Sequence, residues 1–153
     1  MHYTATYERI RIMDDNSQSY RNASAKKILI VEDELPFRQI YRDAMHMYGY
    51  NAIEAEDGEE ALRFVKVYKP DLVLLDLILP KKNGFDVLRE LKSDDETKDI
   101  PVIVYSILED KAEIERAMKL GANDYTFKGI TPAVSVVDKI RVILDPDSKP
   151  LAG

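Results

Sequence analysis

The sequence predicts an α/β chain of alternating strands and helices, (βα)5, whose strands form one parallel sheet covered by helices on both faces. Three observations predict it. Short apolar runs alternate with longer segments whose apolar residues recur at helical spacing. Such alternation gives a parallel sheet, because each strand returns through a right-handed crossover helix. The run Leu72-Val73-Leu74-Leu75 is continuously apolar, as a central strand covered on both faces requires. Finally, four of the runs end in polar residues: Glu32-Asp33, Asp76, Ser106 and Lys128. In open α/β sheets ligands bind at that C-terminal mouth.

The elements follow in order. Residues 27–32 form the first strand. Pro36 suits the first turn of the helix behind it, whose inward face is expected to carry Phe37, Ile40, Tyr41, Ala44 and Met47/Tyr48 and which stops at Gly49. The second strand covers 50–55. Asp57 with Glu60 resembles a capping box and opens a helix bearing Ala61, Leu62 and Val65. The third strand is 71–75, and Phe85, Leu88 and Leu91 mark the third helix. The fourth strand covers 100–105 and the fourth helix Glu109 to Leu120, ended by Gly121. The fifth strand covers 124–128. Thr131 is expected to cap the last helix, with Pro132 at its first position and Asp145-Pro146 at its end.

These elements occupy residues 26–145, the expected domain. Residues 1–25 read as a tail or linker: Asp14 to Ala25 is polar. The loose alternation of Tyr3, Ala5, Tyr7, Ile10 and Ile12 leaves room for an extra strand or a partner-binding arm. Residues 146–153 form a short C-terminal tail. They are too few for a DNA-binding domain, so the chain is either a stand-alone unit or a piece of a longer protein.

Bulk properties remove several function classes. A length of 153 residues fits one domain with a core that needs no disulfide or metal staple. There is no Cys, hence no disulfide framework and no thiol chemistry. The net charge of −6 argues against a general nucleic-acid-binding surface. No apolar stretch approaches the ~18 residues that span a membrane, and no secretory h-region opens the chain. The default expectation is a cytoplasmic protein with no direct nucleic-acid or membrane partner.

Each polar residue at a strand end is, alone, the ordinary residue of a turn or cap. Their convergence carries the information. Three acids, a hydroxyl and a lysine at one crevice suit phosphoryl transfer to a carboxylate. An Asp can act as nucleophile and form an acyl phosphate. The incoming group spreads negative charge over its oxygens, and clustered carboxylates repel it unless a hard cation neutralises them. Glu32, Asp33 and Asp76 offer the few oxygen ligands, with room for water, that Mg²⁺ prefers; Mn²⁺ is the second expectation. Lys128 can neutralise one phosphoryl oxygen as a point charge, and Ser106 can hydrogen-bond another.

In these residues the chain resembles the receiver domain of two-component response regulators. The resemblance rests on Ile28-Leu-Ile-Val-Glu32-Asp33-Glu34, on Pro70-Asp-Leu-Val-Leu-Leu-Asp76-Leu-Ile-Leu-Pro80 with Asn83-Gly84-Phe85, on Pro101-Val-Ile-Val-Tyr-Ser106, and on Gly121-Ala-Asn-Asp-Tyr125-Thr-Phe-Lys128. It implies a flavodoxin-like sheet of order 2-1-3-4-5. It implies Asp76 as phosphoacceptor, Glu32 and Asp33 as metal-site acids, and the Ile78 backbone carbonyl as a further metal ligand. Ser106 and Lys128 would contact the phosphoryl group, and Tyr125 would move inward when Ser106 shifts toward it. The donor implied is a histidine kinase or phosphotransfer protein, and the output an unknown downstream protein or domain. The protein would be a signalling phosphoacceptor rather than an enzyme, at most catalysing its own phosphorylation and slow dephosphorylation.

Two positions depart from the family. Gly129 follows Lys128 where receivers usually have Pro, so a trans peptide and a different loop are expected. Ile107 stands where the family has Ala or Gly and is expected to narrow access to Asp76. Ile78 and Leu108, at positions that influence the hydrolytic water in the family, are both apolar. Of the rival readings, a haloacid-dehalogenase-type phosphatase needs a second Asp where Ile78 stands. A flavodoxin's phosphate loop is replaced by Glu-Asp-Glu, which would repel FMN phosphate. No Gly-rich Lys motif of a P-loop NTPase is present. The remaining alternative is a receiver-like interaction scaffold that no longer switches by phosphorylation.

Overall fold

Strand periodicity decides which helix covers which face of the sheet. The computed structural model describes residues 24–151, so the alternation between Tyr3 and Ile12 lies outside the described residues. Five strands, β1 (Lys27–Val31), β2 (Asn51–Ala55), β3 (Leu72–Leu75), β4 (Val102–Ser106) and β5 (Asp124–Phe127), form one parallel sheet of order β2-β1-β3-β4-β5. The helices between and after them are α1 (Leu35–Met47), α2 (Gly58–Tyr68), α3 (Gly84–Ser93), α4 (Lys111–Lys119) and α5 (Ala133–Leu144). This is the expected flavodoxin-like (βα)5 fold.

Alternate side chains of a strand point to opposite faces. Ile28 and Ile30 of β1, Leu72 and Leu74 of β3, and Ile103 and Tyr105 of β4 pack with α1 and α5, through Tyr41, Met45, Val136, Val137 and Ile140. Leu29, Val31, Val73, Leu75, Val102 and Val104 face the other way, against Ala61, Phe64 and Val65 of α2, Phe85, Leu88 and Leu91 of α3, and Ala117 of α4. All four residues of β3 are buried, as its unbroken apolar run requires.

Several local expectations shift. The buried face of α1 is Arg38, Tyr41 and Met45, while Ile40 and Met47 are exposed. The helix is therefore turned from the expected face, and a buried arginine takes part of it. Thr131 does not cap α5. Pro132 is the N-cap, no side chain caps it, and Thr131 Oγ1 instead accepts from the Thr126 hydroxyl at 3.0 Å. Asp57 does cap α2, accepting from Glu60 N, but the Glu60 carboxylate accepts from Glu56 N rather than from Asp57 N. Ser106 is the last residue of β4 rather than the first beyond it, and pairs with Phe127.

Candidate functional site

The register places the ends of β1, β3, β4 and β5 side by side. Val31 pairs with Leu75, so the residues after them, Glu32 and Asp76, are neighbours at the same edge. Asp76 N donates to Val31 O at 3.1 Å, and Lys128 N donates to Ser106 O at 2.9 Å. The third helix starts hard against this edge: a Cβ on Gly84 would lie 2.4 Å from Asp76 O and from Leu77 Cα. Only glycine lets α3 approach the Asp76 loop so closely. Asn83 caps that helix, accepting from Asp86 N at 3.0 Å.

Glu32, Asp33 and Asp76 each offer a carboxylate oxygen within 4.8 Å of the others. Glu32 and Asp76 are buried, and Asp33 is exposed. Lys128 is buried among them. Its Nζ donates to Glu32 Oε2 at 3.1 Å, Glu34 Oε1 at 2.7 Å and Asp76 Oδ2 at 3.0 Å, and lies 2.8 Å from Glu32 Oε1. An ammonium has three N–H groups, and each has a carboxylate within reach. The Phe37 ring lies 4.6 Å below the same nitrogen.

Burial pushes the Asp76 carboxyl up to about 6, although the hydrogen bonds from Lys128 and Ile78 N pull the other way. Burial alone would lower the Lys128 ammonium, but its bonds to Glu32, Glu34 and Asp76 outweigh that and raise it. One lysine thus does not offset the buried negative charge. An all-oxygen donor set carrying that excess suits a hard divalent cation.

Three participants escape sequence reasoning. Tyr105, buried in β4, donates its hydroxyl to Glu32 Oε1. Glu34 reaches Lys128. Arg38, buried in α1, donates from Nη1 to Glu32 O at 2.9 Å and from Nε to Glu54 Oε1 at 3.2 Å. Tyr105 left one usable signal: a buried tyrosine hydroxyl needs a partner, and alternation turns it to the face opposite Ser106.

Ser106 is buried, and its Oγ accepts from Leu108 N at 3.2 Å. The Tyr125 hydroxyl donates to Leu108 O at 2.7 Å. Leu108 itself packs partly buried against the core, beside Tyr125. Ile78 N donates to Asp76 Oδ1 at 3.2 Å, while the Ile78 side chain is half exposed. Ile107 is 61% exposed. Gly129 has φ +84, and no cis peptide occurs among the described residues. The turn after Lys128 therefore uses the left-handed region open to glycine, and Lys128 still reaches Asp76.

Known proteins share this fold. The family model of the response regulator receiver domain matches residues 28–140. The probable transcriptional regulator ycf27 of Cyanophora paradoxa is 38% identical over 125 residues, which cover 82% of this chain and 51% of that protein. The chain spans about half the length of the curated relatives it matches. Among solved structures, the phosphorylated cyanobacterial phytochrome response regulator RcpA is similar at a TM-score of 0.72 and 31% identity, over 84% of this chain and 100% of that one. The Mn²⁺-bound form of response regulator Rcp1 is similar at 0.70 and 28%, over 83% and 99%. Among the described residues no helix is long and apolar enough to cross a membrane.

Proposed function

The chain belongs to the response regulator receiver family, and from that premise we propose that it accepts a phosphoryl group on Asp76 in a Mg²⁺- or Mn²⁺-dependent reaction. The observation that carries the reading is the Asp76 carboxylate itself. It is 1% exposed, bonded to Lys128, and within 4.8 Å of the acids Glu32 and Asp33. A buried carboxylate so placed is a nucleophile with charge stabilisation ready beside it.

The phosphoryl donor is a phosphohistidine of a histidine kinase or phosphotransfer protein. An Asp76 oxygen attacks phosphorus, the P–N bond breaks as the P–O bond forms, and the departing imidazole nitrogen takes a proton from water. The cation would be held by Asp33, Asp76 and the Ile78 carbonyl, with Glu32 acting mainly through water, and would neutralise phosphoryl charge. Glu32 suits an indirect role because its oxygens already accept from Tyr105, Lys128 and Glu34 N. Lys128 answers one phosphoryl oxygen and Ser106 another. The movement of Ser106 alters the surface of α4, β5 and α5 that a downstream partner reads, with Tyr125 following.

The test is an intact-mass measurement after incubation with acetyl phosphate and Mg²⁺. The parent protein gains one phosphoryl group, Asp76→Asn gains none, and Asp33→Ala loses the metal-dependent reaction while keeping its fold. An unmodified parent would leave the interaction-scaffold reading in its place.

A further inference from the structure

Glu34 has a position that helix capping does not use. It is the N-cap of α1, yet its side chain makes no cap hydrogen bond. Its carboxylate turns to Lys128 instead, at 2.7 Å, the shortest of that ammonium's three contacts. The other two partners are fixed in the interior. The Glu32 side chain is 0% exposed and also accepts from Tyr105 and from Glu34 N. The Asp76 side chain is 2% exposed and also accepts from Ile78 N. The Glu34 side chain is 56% exposed.

Lys128 has three N–H donors, and three carboxylates engage them. A phosphoryl oxygen arriving at Asp76 therefore finds no free donor on Lys128. One carboxylate must withdraw, and the half-exposed Glu34 is the one with solvent to move into.

We propose that Glu34 is a positioning residue that holds Lys128 in the unphosphorylated site and slows phosphoryl acceptance until it lets go. This rests on the reading of Asp76 as phosphoacceptor. Glu34 touches no reacting atom and acts through the lysine alone. Once the phosphoryl group is in place Glu34 is already displaced, so it governs the forward rate and leaves hydrolysis of the acyl phosphate nearly unchanged.

Two variants separate this contact from a general charge effect. Glu34→Ala removes both the contact and the charge. Glu34→Asp keeps the charge but is one methylene too short for Lys128, and as an N-cap it can turn to Phe37 N. The measurements are the acetyl phosphate reaction rate at saturating Mg²⁺, the affinity for beryllium fluoride with Mg²⁺ as a non-covalent phosphoryl mimic, and the melting temperature. A half-exposed ion pair is weak, so both variants should react about threefold faster and bind the mimic more tightly by a similar factor. A role in stability alone would move the melting temperature and leave the mimic's affinity unchanged. The inference is overturned if both variants match the parent, or if Glu34→Asp matches the parent while Glu34→Ala is faster. A parent that takes no phosphoryl group overturns it together with the reading it rests on, whereas a phosphorylated parent with unaltered variants overturns it alone.

Discussion

Asp76 carries a charge that the folded protein resists. Burial lifts its carboxyl to about 6, against about 4 for an exposed aspartate. Below about pH 4 both folded and unfolded states hold the proton, and this group's contribution to stability is fully present. As pH rises through about 6 the folded state must bury an anion, and that contribution is lost. In metal-free protein Asp76→Asn should therefore be more stable than the parent by about 1–3 kcal/mol near pH 8, with the difference closing toward about pH 4. Urea unfolding in EDTA at both pH values checks it, and an equal gap at both would sink it. The residues that built this site were legible where they ended apolar runs, as Glu32, Asp76, Ser106 and Lys128 do. Tyr105 was hidden because it continues such a run, Val102 to Tyr105, and its partner Glu32 lies 73 residues away in sequence. Arg38 was hidden for a related reason. Its carbonyl and carboxylate partners are supplied by the tertiary fold, and nothing in helical spacing announces a buried arginine.

Loops, more than strands, separate this protein from a generic reading of its elements. Strand ends were legible to within a residue or two because apolar runs stop abruptly, whereas caps and helix faces depend on neighbours. Thr131 bonds Thr126 and leaves α5 uncapped by any side chain, a choice local sequence does not encode. The turn after β5 hangs on Gly129 at φ +84, with open space where a Cβ would project. The cost of a side chain there is conformational alone, so Gly129→Ala should lower stability by about 1–2 kcal/mol. Equal unfolding midpoints of the two proteins would refute that account. The two apolar positions flanking the site differ in use. Leu108 packs against the core, whereas Ile78 is half exposed, so only position 78 is open for a group that aligns the hydrolytic water. Acyl phosphate loss should accordingly be slow in the parent. Ile78→Asn should speed it by about tenfold, short of the 10²-fold or more of a fully positioned polar group. Leu108→Glu should add less, because it forfeits packing. The decay of phosphorylated mass with time measures both, and an unaltered decay for Ile78→Asn would end the water-alignment argument.

At the scale of the whole molecule, the alternation of runs made the parallel (βα)5 sheet legible, but spacing contains no strand order. The order 2-1-3-4-5 came with the family resemblance, and the pairing of β1 between β2 and β3 bears it out. In the proposed switch, that order would set the route from a charge at Asp76 to the surface. Ser106 and Tyr105 are consecutive in β4, yet Tyr105 packs with the core under α1 and α5 while Val104 and the neighbouring Leu108 pack with the other. On that second face Ser106 Oγ holds Leu108 N, and Tyr125 holds Leu108 O. Leu108 thus links the Ser106 hydroxyl to the Tyr125 hydroxyl, beside the direct pairing of β4 with β5. Beyond it, Lys139 of α5 pairs with Asp124 at 2.9 Å, and Asp138 accepts from Leu151 N at 3.0 Å. Asp138 is committed to the C-terminal segment of its own chain. A phosphoryl group adds roughly −1.5 to −2 charge. It shifts population only if it interacts differently with the two packings. On the proposed reading Ser106 drawn toward it would supply that difference, because the movement would pull on the Leu108 linkage. Beryllium fluoride with Mg²⁺ should therefore shift the amide resonances of Leu108, Tyr125 and the first turns of α4 and α5, and leave β2 and α2 nearly unmoved. Tyr125→Phe cuts the linkage at the hydroxyl, so its mimic-free amides should already lie part of the way toward the mimic-bound positions. Amide shifts around Tyr125 that are identical with and without the mimic would remove the switch, leaving Asp76 a phosphoacceptor whose charge is read at the site itself.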